Sequence, residues 1–386
     1  MDKYSDFTVA AVISNHCVFQ RNKNISIFGK AFQKDIVKAE LFDRNNKLLA
    51  ANETKLSQSD WLLQLPPLQA KNGCTLKITC TQYHKQESNA QEKSQVPVAP
   101  VIEKTFTDIS IGEVWLAGGQ SNMEFELQNC TEGPDELKNE KAPNVRFYYT
   151  NKIGWMDDHF YEAEKNTCWQ TWDSQYKTAW SAVGYFFAKK LAQDLNQANN
   201  FDPNAETITV GVIGCNWGGT SASAWMNREA LEEDVDLKTY VDEQIEATKE
   251  KSIEQQCKEY DEYEIENNKW QEKCAELYAK DPNMEWDYVQ KLLGPCPWPG
   301  PRSCKNPYRP AGLYECMLKR IIPYTIKGVI WYQGESDDHK PRSYAKLFTK
   351  MIDVWRTDWH DPHLPFAKAV FPSPTFLLNL SYFSSI

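Results

Sequence analysis

Up to about residue 108, apolar and polar positions alternate in short pieces, a period of two that is typical of half-buried β-strands. The pattern recurs in four segments, at residues 24–31, 35–50, 60–68 and 74–83. Turn-forming residues separate them, and residues 44–46 lie where a hairpin tip is expected. Strands at this spacing, without helices between them, predict a small β-sandwich over residues 1–108.

From residue 109 the pattern changes to mainly apolar runs of the kind found in buried strands, at 109–117, 208–215 and 326–333. Residues 182–195 instead carry apolar positions at helical spacing. Buried strands that alternate with helices predict a parallel sheet covered on both faces. We therefore expect a three-layer α/β/α domain over residues 109–386.

A charged helical stretch interrupts this order at about 228–300 and ends in a proline-rich return. Residues 229–290 hold 20 acidic and 7 basic side chains, a local charge of −13 in a chain of net charge −10. The simplest interpretation is an inserted helical hairpin with a solvated surface. No basic face stands out, which argues against a nucleic-acid partner. Cys296 and Cys304 are candidates for pairing across the return.

Three polar turns follow the three apolar runs. Ser121 comes where the first run ends and a helix is expected to begin. The carboxyl edge of a parallel sheet is where such folds bind ligands, and the N–H groups of a new helix can hold an oxyanion. Ser121 is therefore a candidate nucleophile, and the alternative is a helix N-cap serine.

Gly218 and Gly219 follow the second run, and Gln333 and Glu335 follow the third. Adjacent glycines let a backbone N–H approach a ligand, and a glutamine amide can donate to a developing negative oxygen. Each turn alone also fits an ordinary loop. Three such turns at one sheet edge predict an active site.

The N-terminal residues show no basic start followed by a long apolar segment, so neither a signal peptide nor membrane insertion is expected. Eleven cysteines favour an oxidising compartment, whereas a missing signal favours the cytoplasm. No close CxxC pair is present, so the sequence does not indicate zinc.

The motifs "GEVWLAGGQSNM", "GVIGCNWGGTSASAW" and "GVIWYQGES", in this order, resemble the sialate O-acetylesterase family of the SGNH/GDSL-like hydrolases. Residues 14–31 also look like that family's N-terminal β domain. The resemblance implies an SGNH-type fold and the removal of O-acetyl groups from sialic acids without metal or organic cofactor. It implies O-acetylated sialic acid or a sialoglycan as substrate and a lysosomal or extracellular location, and it leaves the oligomeric state open.

Carried onto this chain, the resemblance makes Ser121 the nucleophile. It implies that three groups donate hydrogen bonds to the oxyanion. They are the N–H of Ser121, the side chain of Gln333 and the N–H of either Gly218 or Gly219, of which Gly219 is favoured. Three roles stay open for Glu335. It organises hydrogen bonds at the site, acts as a supporting acid there, or is a charge on the surface.

Three tryptophans, Trp217, Trp225 and Trp331, either line a sugar site or lie in the core. Flat rings suit sugar faces, but tryptophan is also a common core residue.

The family's acid and base stand in an Asp-x-x-His motif, and none of the six histidines here has Asp three positions before it. Residues 367–386 also depart from the family pattern, so we expect a hydrolase domain that is incomplete at its C-terminus. His339, four residues after Glu335, is a possible substitute base. A serine without a base is a poor nucleophile.

Three hypotheses follow. The first is a serine esterase that deacetylates sialic acids through an acyl-enzyme. The second is a catalytically dead truncated isoform or a glycan-binding pseudoenzyme. The third is an interaction protein that uses the acidic insertion, which leaves the three turns unexplained.

Overall fold

The computed structural model describes residues 7–83, 100–139, 142–199 and 205–368. Residues 86–100 are polar and contain proline, which predicts a loop, and this segment lies almost wholly outside the described residues. Nearly all of the C-terminal segment that departs from the family pattern also lies outside them.

The front of the chain, described up to Tyr83, contains seven strands. They are β1 (Thr8–Val9), β2 (Val18–Gln20), β3 (Ile25–Lys30), β4 (Ile36–Phe42), β5 (Leu48–Lys55), β6 (Asp60–Leu65) and β7 (Lys71–Thr81). Of these, β3 to β7 fall on the alternating segments, whereas the two short strands β1 and β2 do not. β4 and β5 pair antiparallel around the turn at 44–46, which confirms the expected hairpin. β1, β3 and β6 make one small sheet, and β4, β5 and β7 belong to a second.

β8 (Val101–Gly119) is one 19-residue strand that joins the front to the rest of the chain. Its first half pairs antiparallel with β7, and its second half pairs in parallel with β10 (Val210–Asn216) and β11 (Gly328–Tyr332). The expected boundary at residue 108 falls inside this continuous strand. The division into two domains, and the description of the front as a sandwich, stay predictions.

The second half of β8 is the centre of a parallel sheet. Its order is β9 (Val145–Tyr149), β10, β8, β11 and β12 (Phe366–Lys368). The three apolar runs are its three central strands, as the sequence predicts. β9 was not predicted, because its five residues include an arginine and show neither a long apolar run nor alternation.

Ten α-helices occur in the described residues. They are α1 (Ser121–Glu124), α2 (Gly133–Leu137), α3 (Asp158–Lys165), α4 (Ala182–Asn199), α5 (Arg228–Glu232), α6 (Lys238–Thr248), α7 (Ile253–Lys280), α8 (Trp286–Leu293), α9 (Gly312–Cys316) and α10 (Pro341–Asp358). Short 3-10 helices lie at Leu127–Asn129, Gln175–Ala179, Ala222–Trp225, Leu318–Arg320 and Glu335–Asp337.

Helices cover both faces of the parallel sheet. Leu116 of β8 points into a cluster that includes Trp355 of α10, whereas Ala117 points into a second cluster that includes Tyr185 and Ala188 of α4. Successive residues of a strand face opposite sides, so this alternation places one helical layer on each face. The prediction of an α/β fold is confirmed.

The acidic stretch, called the insertion below, contains helices α5 to α8. Its interpretation as a helical hairpin inserted into the α/β domain stays a prediction. Part of the charge of the insertion is paired with the lysines of α10 and the turn before it. Lys346 lies 2.9 Å from Asp234 and 2.7 Å from Asp236, and Lys340 lies 2.6 Å from Glu243. Exposed pairs of this kind contribute about 0–1 kcal/mol each, so they orient the insertion more than they stabilise it.

None of the helices in the described ranges combines the length and the apolar character needed to cross a bilayer.

Candidate active site

The three polar turns leave the sheet at one edge. Gly119, the last residue of β8, pairs with Asn216 of β10 on one side and with Tyr332 of β11 on the other. The turns that follow β8, β10 and β11 therefore begin beside one another. This confirms that the strand ends converge as the sequence predicts.

Ser121 is the first residue of α1 and is exposed. The turn before it depends on Gly119, whose φ is +135° and whose added Cβ would lie 2.1 Å from the carbonyl oxygen of Tyr332. Gln120 then donates its N–H to that same oxygen at 3.0 Å. A side chain at position 119 would separate the strands, so the glycine is needed to bring Ser121 to the edge.

Gly218 lies directly beside the serine. A Cβ built on Gly218 would come within 3.6 Å of the Ser121 Cβ and 2.7 Å of a Glu124 carboxylate oxygen. Gly219 has φ +73°, and its Cβ position faces Trp298 instead. Because Gly218 has no side chain, it does not obstruct access to Ser121. The positive φ of Gly219 allows the chain to turn next to Trp298.

Gln333 is buried and holds the neighbouring loop. Its Nε2 donates to the Thr220 carbonyl at 3.2 Å and to Asp337 Oδ2 at 2.6 Å, and its Oε1 accepts from the Tyr344 hydroxyl at 3.1 Å. Both amide hydrogens are used in these bonds. In this arrangement Gln333 positions the loop after β10 and has no free hydrogen for an oxyanion.

Asp337 is the residue that the sequence analysis missed. It is 1% exposed. Its carboxylate accepts from the Ser221 hydroxyl at 2.5 Å, the Ala222 N–H at 2.9 Å and the Tyr240 hydroxyl at 3.4 Å, besides the Gln333 amide. A buried carboxylate is tolerated only when its oxygens are hydrogen-bonded, and these donors come from separate segments. The run of polar and charged residues after Glu335 was the only signal of it in the sequence.

Glu335 contacts the turn that carries Ser121. Its Oε1 accepts a hydrogen bond from the side-chain amide of Asn122, the residue after the candidate nucleophile. Its Oε2 is buried without a hydrogen-bond partner among the described residues. The next residue, Ser336, donates its N–H to Gln120 Oε1 at 3.3 Å. These contacts support the organiser role among the three that the sequence left open.

Two tyrosines next to these acids stay protonated at neutral pH. Burial, followed by the Asp337 carboxylate, raises the pKa of Tyr344 to about 12. The same causes raise the pKa of Tyr240. Both hydroxyls are therefore hydrogen-bond donors to their partners, and neither can act as a base near neutral pH.

No hydrogen bond joins Ser121 to a histidine in the described ranges. His339 is exposed beyond the turn that holds Glu335, and its ring forms no hydrogen bond with the part of the chain that the structure describes. His16 instead pairs with Asp108 at 2.7 Å. His84 and the side chain of His159 lie outside what the structure describes.

Two of the three tryptophans considered for a sugar site are core residues. Trp225 and Trp331 are fully buried and pack edge to face, with ring centroids 6.3 Å apart. Trp225 also donates to the Thr220 hydroxyl at 2.9 Å. The sugar-lining interpretation is therefore wrong for both, because no face of either ring reaches solvent. Trp217 is only partly buried.

A different tryptophan lies at the site. Trp298, from the return of the insertion, is 49% exposed and contacts Gly219. Its ring lies edge-on to Tyr308, with centroids 5.6 Å apart. Trp217 lies beneath Lys152, whose Nζ is 6.0 Å from the ring and forms an ion pair with Glu124. The surroundings of Ser121 thus combine aromatic rings with the Lys152 cation and the carboxylates of Glu124 and Glu335.

Within the described residues, no group of three or more His, Cys, Asp and Glu side chains is arranged to hold a metal ion.

Comparisons with known proteins agree with the resemblance. The model of a family described as "Carbohydrate esterase, sialic acid-specific acetylesterase" matches residues 299–375, which include Gln333 and Glu335. The sialate O-acetylesterase of Mus musculus is 24% identical over 260 residues, and that of Rattus norvegicus is 24% identical over 262. Each alignment covers 66% of this chain and 40% of the relative. The matched region thus spans about two fifths of the curated relatives.

Among solved structures, a carbohydrate acetylesterase from Xanthomonas citri matches with a TM-score of 0.58 and 20% identity. The match covers 94% of this chain and 59% of that protein. At this identity the likeness concerns the fold. Together with the family model and the curated relatives, it confirms the resemblance to the sialic acid-specific acetylesterases.

We predict that Asp337→Asn destabilises the site, because an amide offers only one acceptor oxygen and turns its own hydrogens toward three or more donors. The expected loss is about 2–3 kcal/mol in the free energy of unfolding, measured by urea denaturation. Asp338→Asn is the matched control, since Asp338 is adjacent and exposed, and its change is expected within about 0.5 kcal/mol. Equal urea midpoints for the two variants would contradict the role of Asp337.

Proposed function

We propose that this chain is a serine esterase that removes O-acetyl groups from sialic acids. The observation that carries the proposal is the exposed Ser121 at the start of α1, beside the bare backbone of Gly218, at the edge where three parallel strands end. The family match and the curated relatives support the substrate class. An SGNH-type arrangement of the sheet is part of the same proposal.

In this proposal, Ser121 Oγ attacks the carbonyl carbon of the acetyl ester. The N–H of Ser121, at the first position of its helix, has no intrahelical acceptor and donates to the oxyanion, with a glycine N–H from Gly218 or Gly219 as the second donor. Collapse of the tetrahedral intermediate releases the sugar hydroxyl and leaves an acetyl-serine. Water then hydrolyses the acetyl-serine to acetate.

In this proposal Gln333 and Glu335 hold other groups in place and do not take part in the reaction themselves. Gln333 orders the loop that carries the two glycines, and Glu335 holds Asn122 and thereby the helix of Ser121. A direct oxyanion contact from Gln333 requires its amide to leave Asp337 or Thr220 when substrate binds. The base that accepts the serine proton is not assigned among the described residues, and His339 stays a hypothesis.

The rings at the site support a sugar as the group that carries the ester. Trp298 presents nearly half of its surface next to Gly219, and Trp217 and Tyr308 lie near it. Aromatic faces provide apolar contact for the C–H face of a pyranose ring at little conformational cost. Lys152 is placed to interact with an acidic substituent such as the carboxylate of a sialic acid.

A second candidate is a glycan-binding protein without turnover. Two observations favour it. Within the described ranges no histidine forms a hydrogen bond with Ser121, and Trp298 is exposed next to Gly219.

We predict that Ser121→Ala lowers acetate release from O-acetylated sialic acid at least ~1,000-fold, because the reaction loses its nucleophile. Ser336→Ala, at the same sheet edge, is the control and keeps the activity of the parent chain. Full activity in Ser121→Ala would exclude Ser121 as the nucleophile. A folded parent chain without any acetate release would favour the binding protein.

We also predict that Trp298→Ala weakens the interaction with the sugar about tenfold, a loss of about 1.4 kcal/mol. The readout is KM for O-acetylated sialic acid, or Kd by calorimetry if the chain does not turn over. Hydrolysis of 4-nitrophenyl acetate, which has no sugar, is expected to stay unchanged. Trp286→Ala is the matched control, because Trp286 is 46% exposed in the same insertion but packs against Trp270. Equal effects of the two substitutions would show that Trp298 does not contact the sugar.

A further inference from the structure

We infer that Cys257 and Cys304, whose Sγ atoms lie 3.6 Å apart, form a disulfide under oxidising conditions that clamps the return segment of the insertion onto α7. The eleven cysteines are free thiols in this structure. The inference concerns the covalent state of the chain and holds whether or not the chain is an esterase.

The two thiols face each other because the segments that carry them are fixed on both sides. Cys304 donates its N–H to Gln256 Oε1 at 3.0 Å, and the Ser303 hydroxyl donates to the Gln256 carbonyl at 3.0 Å. On the other side, Lys305 forms an ion pair with Asp261. Ser303 is buried, so its hydrogen bond to Gln256 is shielded from water. Three consecutive residues of the return are thus held along the first turns of α7.

This arrangement differs from the pairing that the sequence suggested. Cys296 and Cys304 flank the proline-rich return, but Cys296 lies near the end of α8. Its N–H donates to Gln290 Oε1 at 3.4 Å, and its Sγ accepts from Gln271 Nε2 at 4.0 Å. The partner of Cys304 is instead 47 positions earlier in the chain, a separation that no local pattern indicates.

The chemistry needs only a small movement. The sulfur atoms must approach from 3.6 Å to about 2.05 Å, which rotation of the two side chains can provide if the backbones are already at bridging distance. With oxidised glutathione as oxidant, one cysteine thiolate attacks its disulfide and releases one glutathione. The other cysteine thiolate attacks the mixed disulfide and releases the second glutathione. The two protons lost by the cysteines pass to the two released glutathione thiolates.

The bond would act on Trp298 through Asn306. The side-chain amide of Asn306 donates to the carbonyls of Pro299 at 3.2 Å and Pro301 at 2.9 Å, and its oxygen accepts from the Tyr308 N–H at 2.8 Å. Cys304 is two residues before this junction. Anchoring Cys304 covalently to α7 therefore restricts the loop that presents Trp298 beside Gly219.

The test uses the whole purified chain, incubated with either oxidised or reduced glutathione. Free thiols are alkylated, the chain is digested without reductant, and linked peptides are identified by mass spectrometry. We expect one predominant link, between the peptides of Cys257 and Cys304, only in the oxidised sample. Limited proteolysis within residues 281–302 is expected to be several-fold slower after oxidation, because the closed loop opens less often.

Three single variants separate this pairing from the alternative. Cys257→Ser leaves Cys304 open to alkylation, and Cys304→Ser leaves Cys257 open, whereas Cys296→Ser retains the link. Alkylation of both Cys257 and Cys304 in the oxidised parent chain would overturn the inference. A predominant link between Cys296 and Cys304 would overturn it equally. The mapping of the parent chain decides the question even if a variant fails to fold.

Discussion

The geometry of the candidate site depends on the buried carboxylate of Asp337. A carboxylate removed from water is costly unless its oxygens accept hydrogen bonds, and Asp337 obtains them from the turn after β10, from Gln333 after β11 and from Tyr240 of the insertion. These segments are therefore fixed relative to one another. Glu335, in the same short 3-10 helix, reaches in the opposite direction and holds Asn122 next to Ser121. One short helix thus connects both neighbouring turns.

The strand ends could be predicted because long apolar runs that stop at polar turns define the edge of a parallel sheet. The register of β8 with β10 and β11 then determines which turns meet, and this part of the site follows from local pattern. The choice between the acids after β11 could not be predicted. Glu335, Asp337 and Asp338 stand in one short stretch with similar chemistry, and only their tertiary contacts distinguish a helix organiser, a buried junction and an exposed charge.

The tryptophans illustrate the same limit. Trp217, Trp225 and Trp331 all follow or end apolar strands, so sequence position alone does not separate core from site. Trp298 comes from a proline-rich return about eighty residues beyond Gly219, and tertiary packing brings it beside that glycine. The pairing of Cys257 with Cys304 is equally non-local. The insertion therefore contributes to the surroundings of Ser121, a role that its charge pattern did not indicate.

If Ser121 is the nucleophile, it carries a covalent acetyl group during turnover, and this intermediate can be trapped. The chain would be mixed with O-acetylated sialic acid, quenched in acid within the first turnovers, digested and analysed by mass spectrometry. We expect one acetyl group on Ser121 that disappears when the substrate is exhausted. Acetate release without any acetyl group on the peptide of Ser121, or with an acetyl group that appears and turns over on another residue, would rule out the acetyl-serine mechanism.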